Sequence, residues 1–152
     1  GNAEFSKHFD QAVFDIATLC QLKHLLNRKF NKLSGGEQRR VHFARTLLQL
    51  WRPSNSKDSA YMLLDEPTAN LDLYFEIKLM DIIKERTINN VGVLIIMHDL
   101  NLAAKYSDKI ALISGGKIVE YGAPNEVLKS NILEKIYNLK MNVDENLKVS
   151  YF

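Results

Sequence analysis

The chain has 152 residues, 46% hydrophobic and 25% charged, with 20 basic against 18 acidic side chains and a formal net charge of +2. That is enough chain for one globular domain, and so even a charge balance argues against nucleic-acid binding, which needs a clustered basic face. The single cysteine, Cys20, excludes an internal disulfide framework or a zinc cluster; no signal peptide is visible and no apolar run is long enough to span a bilayer, so the chain reads as cytoplasmic, any membrane link being made through a partner.

Gly1-Asn2-Ala3 reads as a cloning remnant and is set aside. From about Phe5 to Leu26, Phe9, Val13, Ile16 and Leu19 recur at helical spacing, with Ala12, Ala17 and Cys20 beside them. Cys20 reads as a small core residue. A second helix is predicted from Ser34 to about Leu50, with Val41, Ala44, Leu48 and Trp51 sharing one face, and residues 53–59 form a polar loop. Tyr61-Met62-Leu63-Leu64 is a short continuous apolar run, which reads as a parallel strand covered on both faces. Asp72 is placed to cap a helix over 73–86 that turns Phe75, Leu79, Ile82 and Ile83 inward. Residues 91–97 form a second buried strand, rich in β-branched side chains. A short helix over 100–106 follows. Gly115-Gly116 between two short apolar strands signals a hairpin with a primed turn. Residues 125–138 read as helix in one or two pieces, and 147–152 as a final edge strand. Alternating strands and helices give an α/β class.

Three constellations carry chemistry. In Leu33-Ser34-Gly35-Gly36-Glu37-Gln38, Ser34 and Glu37 match the reciprocal S-x-x-E cap of a helix start. Gly35 and Gly36 leave the first turn without side-chain bulk, so a phosphate can approach the unpaired N–H groups and the positive end of the helix dipole. The same residues also read as a plain N-cap, a common feature. In the second constellation a buried strand ends in Asp65-Glu66-Pro67. Ligands of open α/β sheets bind beyond the carboxyl ends of the strands. One carboxylate can serve Mg²⁺ while its neighbour orients an attacking water; a solvated strand end is the blander reading. Third, His98 directly follows the second strand, on the sheet edge expected for Asp65 and Glu66, where it can reach a γ-phosphate. By itself it reads as a structural histidine, and His8, His24 and His42 have no such context.

Taken together, these strings resemble the ABC ATPase family. Residues 33–40 resemble its signature motif, Leu63-Leu64-Asp65-Glu66-Pro67-Thr68 its Walker B motif, Ala69-Asn70-Leu71-Asp72 its D-loop, and Met97-His98-Asp99-Leu100 its switch histidine. Their joint order and spacing are far more specific than any one of them. The resemblance covers residues 5–152. It implies a partial P-loop NTPase fold: a mostly parallel sheet with helices on both faces, with 5–50 belonging to the helical signature subdomain and 60–152 to the catalytic core. It further implies ATP and Mg²⁺ as ligands, with Ser34, Gly35, Gly36, Glu37 and Asp72 at the nucleotide, Asp65 holding Mg²⁺ through water, and Glu66 and His98 catalytic. The implied partners are a second ATPase subunit in a head-to-tail dimer, membrane permease subunits and, indirectly, a periplasmic binding protein, but no nucleic acid. The implied place is the inner face of the cell membrane, peripherally bound. Residues 43–51, 98–104, 115–119 and 121–124 are similar to haemin importers, a pattern that ferric-siderophore and cobalamin importers largely share. The rival readings are a soluble ABC ATPase of DNA repair, translation or iron–sulfur assembly, and a non-catalytic remnant.

The sequence departs from the family in one respect. No G-x-x-x-x-G-K-[ST] string occurs in it, and in P-loop enzymes that loop makes most of the phosphate contacts. The expectation is a chain that corresponds to the C-terminal half of the family and does not hydrolyse ATP alone. The strand over 91–97 then lacks a neighbour in the sheet. Either the 110–114 strand takes that place or two chains pair across the edge.

Overall fold

The computed structural model describes residues 2–50, 59–88 and 90–152. Trp51 and most of the expected 53–59 loop lie outside the described residues. The chain divides into two compact units, Gly1–Ile96 and Met97–Phe152, and each is described by itself.

The first unit opens with helix α1, Asn2–Leu19. The helix expected to reach Leu26 stops seven residues earlier. Gln21 adopts a left-handed φ of 56°, its N–H donates to the Thr18 carbonyl at 3.1 Å, and the Leu22 N–H donates to the Ala17 carbonyl at 2.6 Å. This is the Schellman arrangement, here with glutamine at a position that glycine usually fills. It turns Leu22 and Leu25 into the core, both buried, and a 3₁₀ turn over Lys23–Leu25 follows. Cys20, at the turn itself, is 0% exposed. Burial pushes its thiol pKa up to about 11, against the opposing pull of Lys78, Arg40 and Arg86.

Helix α2, Gly35–Gln49, begins where the cap predicts. Its buried residues are Phe43 and Leu47, while Val41, Ala44 and Leu48 are half-buried. The helix is apolar on two sides. The stripe of Val41, Ala44 and Leu48 lines a cavity of about 230 Å³ whose opposite wall is Val13, Ile16 and Ala17 of α1.

Strands β1, Ala60–Asp65, and β2, Val91–Ile96, pair in parallel with Ala60 opposite Val91 and Asp65 opposite Ile96. Helix α3, Leu73–Ile88, forms the crossover and packs on β2. As expected it buries Phe75, Leu79, Ile82 and Ile83, with Met80 in addition. The expected covering of β1 on both faces is not seen. Ala60 and Met62 are buried, but Tyr61 is 77% and Leu63 73% exposed, and on β2 Leu94 and Ile96 share that open face. A run of consecutive apolar residues gives no sign of which face is covered, and here α3 covers one.

The second unit contains α4, Leu100–Tyr106, then β3, Ile110–Ser114, and β4, Lys117–Gly122, as an antiparallel hairpin. Gly115 and Gly116 both have positive φ, 55° and 73°, the conformation a primed two-residue turn requires. Short helices α5, Pro124–Val127, and α6, Ser130–Tyr137, cover it. The expected final strand is β6, Val149–Tyr151, and its partner is β5, Met141–Val143, which the sequence reading did not identify. The core gathers Ile110, Leu112, Val127, Leu128, Leu133, Met141 and Val149. Both amide atoms of the Asn101 side chain clamp Val149: Nδ2 donates to its carbonyl at 3.2 Å and Oδ1 accepts from its N–H at 2.7 Å. Among the described residues β3 pairs with β4 and β2 with β1. The expected ladder between 91–97 and 110–114 is not among these pairings.

Candidate functional site

Ser34 has extended backbone and caps α2. Its N–H donates to Glu37 Oε2 at 2.7 Å, and the Glu37 N–H donates to Ser34 Oγ at 3.3 Å. The bond from the Ser34 backbone, followed by that with its hydroxyl, holds the Glu37 carboxyl below its ordinary range. Glu37 thus spends its carboxylate on its own helix. Gln38 Nε2 donates to the Leu33 and Phe30 carbonyls at 3.1 and 3.4 Å, which ties the approach to the helix down. In front of Gly35 the space is open: a Cβ there meets nothing within 4 Å, and one at Gly36 meets only the Asn70 carbonyl at 4.0 Å. Gly35 and Gly36 belong to the first turn, whose N–H groups have no acceptor within the helix. The expected capped helix start is present, with open space before Gly35.

Asp65 is the last residue of β1 and is exposed. Glu66 extends the ladder by one bond, its N–H donating to the Ile96 carbonyl at 2.9 Å. It does not continue as extended chain, for its φ is 44°. The strand thus gives way to a turn at Glu66. The Glu66 carbonyl accepts from the Ala69 N–H at 3.2 Å across Pro67 and Thr68. Asn70 is again left-handed, φ 59°, a conformation asparagine tolerates. Asp72 Oδ1 accepts from the Phe75 N–H at 2.9 Å, so Asp72 caps α3 as expected.

Ser34, Gly35, Gly36, Glu37, Asp65, Glu66 and Asp72 all belong to the first unit. His98 belongs to the second unit, where it is exposed directly ahead of α4. Its neighbour Asp99 caps that helix, Oδ1 accepting from the Asn101 and Leu102 N–H groups at 2.8 and 2.9 Å. Sequence reasoning missed Arg39, whose Nη1 donates to the Glu66 carbonyl at 3.5 Å. No spacing rule links residues 27 apart. Sequence reasoning also missed Arg40, whose guanidinium lies 5.1 Å from the Phe75 ring centre.

The family described as "ABC transporter" matches residues 2–69. The chain is 37% identical over 139 residues to "Hemin import ATP-binding protein HmuV" of Rhodopseudomonas palustris, covering 91% of this chain and 50% of that protein. It is 40% identical over 138 residues to the protein of the same name from Escherichia coli O157:H7, covering 88% and 52%. The chain thus spans about half the length of the curated relatives it matches. Its fold is shared with a structure described as a metal-chelate type ABC transporter in an inward-facing conformation, at TM-score 0.72 and 21% identity, covering 93% of this chain and 57% of that one. It is shared also with MJ1267, an ATP-binding cassette of an ABC transporter, at TM-score 0.66 and 24% identity, covering 84% and 48%. The chain belongs to the ABC transporter family.

Proposed function

We propose that this chain is part of the ATP-hydrolysing subunit of a bacterial importer, and that the imported compound is haemin or another iron chelate. The observation that carries the reading is the Asp65-Glu66 pair at the carboxyl end of a parallel strand, in the same unit as a capped helix start with open space before Gly35. A second copy presents Ser34, Gly35 and Gly36 to the nucleotide held by the first, with Glu37 keeping that helix start in shape and Asp72 at the seam between copies. Glu66 orients the attacking water. His98 contacts the γ-phosphate. Asp65, exposed and anionic, suits Mg²⁺ held through water; such an ion neutralises charge on the phosphates. Closure of the pair drives permease subunits, which take substrate from a periplasmic binding protein. No helix among the described residues is long and apolar enough to cross a membrane, which fits a subunit bound peripherally at its inner face. The relatives' printed name supplies the haemin part of the reading.

The test uses a full-length protein that contains this chain. A group that positions the attacking water acts on chemistry more than on binding. Glu66→Gln is expected to retain ATP in a stable pair while phosphate release falls by about a hundredfold or more. Ser34→Arg is expected to prevent pairing by filling the phosphate-facing helix start. Wild-type hydrolysis by the Glu66→Gln protein removes Glu66 from this role.

A further inference from the structure

Glu66 is held in an unusual way. Its φ of 44° is left-handed, a region that a glutamate occupies only where its surroundings impose it. Its N–H is fixed by the Ile96 carbonyl at 2.9 Å. Its own carbonyl has two lone pairs. The Ala69 N–H takes one at 3.2 Å and closes the turn, and Arg39 Nη1 approaches the same oxygen at 3.5 Å, a long bond but one with a charged donor. Arg39 lies on α2, one turn beyond the capped start at Ser34. The first turn of α2 also comes up to the same loop, since the nearest atom to a Cβ at Gly36 is the Asn70 carbonyl oxygen. On the next position along the helix, Arg40 lies against Phe75 of α3. Loop 66–70 is therefore gripped from one side by β2 and from the other by the helix that the signature heads.

We infer that Arg39 is a positioning residue: by holding the Glu66 carbonyl it fixes the turn that aims the Glu66 carboxylate, and so ties the signature helix to the catalytic carboxylate of the same chain. The inference rests on the proposed role of Glu66. Its consequence is that a movement of the signature helix, as when it meets nucleotide on a partner copy, is felt at Glu66 of its own subunit. A subunit whose signature is engaged thereby has its own carboxylate better aimed.

The experiment has two arms. In the full-length protein, Arg39→Ala is expected to lower kcat for ATP about threefold to tenfold, the effect of one lost hydrogen bond, with KM changed less than about twofold. Arg39→Gln, which keeps an N–H donor, is expected to recover at least about half of the loss. A role confined to stability or general electrostatics predicts otherwise: kcat and KM moving together, or Gln no better than Ala. Either result, or an unchanged kcat in Arg39→Ala, overturns the inference. The second arm needs no turnover. Amide exchange at Ala69 is expected to quicken about threefold to tenfold in Arg39→Ala and to return in Arg39→Gln. The Ala60 amide, bonded to the Asn90 carbonyl at 3.2 Å, serves as the unaffected reference. If the wild-type protein does not hydrolyse ATP, the function fails while this arm still decides the contact. Unchanged exchange at Ala69 overturns it.

Discussion

The left-handed backbone at Glu66 can be measured directly by comparing Glu66→Gly with Glu66→Ala. Both remove the carboxylate and nearly all side-chain contacts, so what remains is the backbone difference. At a φ of 44° an L-residue carries a cost of about 1–2 kcal/mol that glycine escapes. Glycine gives back about 0.5–1 kcal/mol through the greater freedom of its unfolded chain. The glycine variant is therefore expected to be the more stable by about 0.5–1 kcal/mol. With a urea dependence of about 1–3 kcal/mol per molar, its midpoint should lie a few tenths of a molar higher in equilibrium unfolding followed by circular dichroism. The same pair of substitutions at Asp81, exposed in the middle of α3, supplies a control of opposite sign, since mid-helix glycine is worse than alanine by about 1 kcal/mol. Equal stability of the two Glu66 variants, or a more stable alanine, would refute the claim that the turn is imposed. In the full-length protein both variants are expected to lose turnover, so the two should differ in stability and not in activity.

Other expectations follow from separate features. Glu37 has its folded pKa lowered from the ordinary 4.5, so the stabilisation it gives α2 is complete above that value and is lost as pH falls through the lower folded one; amide shifts at Ser34 and Glu37 in an acid titration should show this, and Glu37→Gln should abolish it. Leu133, 0% exposed in the second unit's core, should cost about 2–5 kcal/mol on substitution by alanine, against no more than about 0.5 kcal/mol for Ile113, which is 67% exposed; denaturant midpoints check both. The 152-residue chain alone should show no sustained phosphate release from Mg-ATP. The open face bearing Tyr61, Leu63, Leu94 and Ile96 should make that isolated chain associate with itself at high concentration, and light scattering should show Leu63→Lys combined with Leu94→Lys shifting it to monomer.

Local chemistry was legible in the sequence and covering was not. The capping box at Ser34 and Glu37, the Asp72 cap, the inward residues of α3 and the Gly115-Gly116 turn each depend on residues a few positions apart, and each appears where expected. The end of α1 was missed because Gln21 does the work usually given to glycine. The buried side of α2, Phe43 and Leu47, went unread because the helix is apolar on two sides, and periodicity cannot rank them. Strand β5 escaped notice because three residues, Met141–Val143, carry too short a pattern to read. At the site, the residue types were evident from Asp65-Glu66 and Ser34-Gly35-Gly36. The bend at Glu66 and the reach of Arg39 arise from tertiary packing, which no local string encodes.

The chain's one cysteine offers a clock. Cys20 is sealed where α1 ends, and its proton is held to about pH 11, so at neutral pH almost no thiolate exists for an alkylating reagent to meet. Modification must wait until the first unit opens far enough to wet that turn. Because the sequence contains no second thiol, each covalent tag records one such opening. A mass spectrum taken over hours then follows how readily the signature-bearing unit opens, with no mutation and no label introduced beforehand.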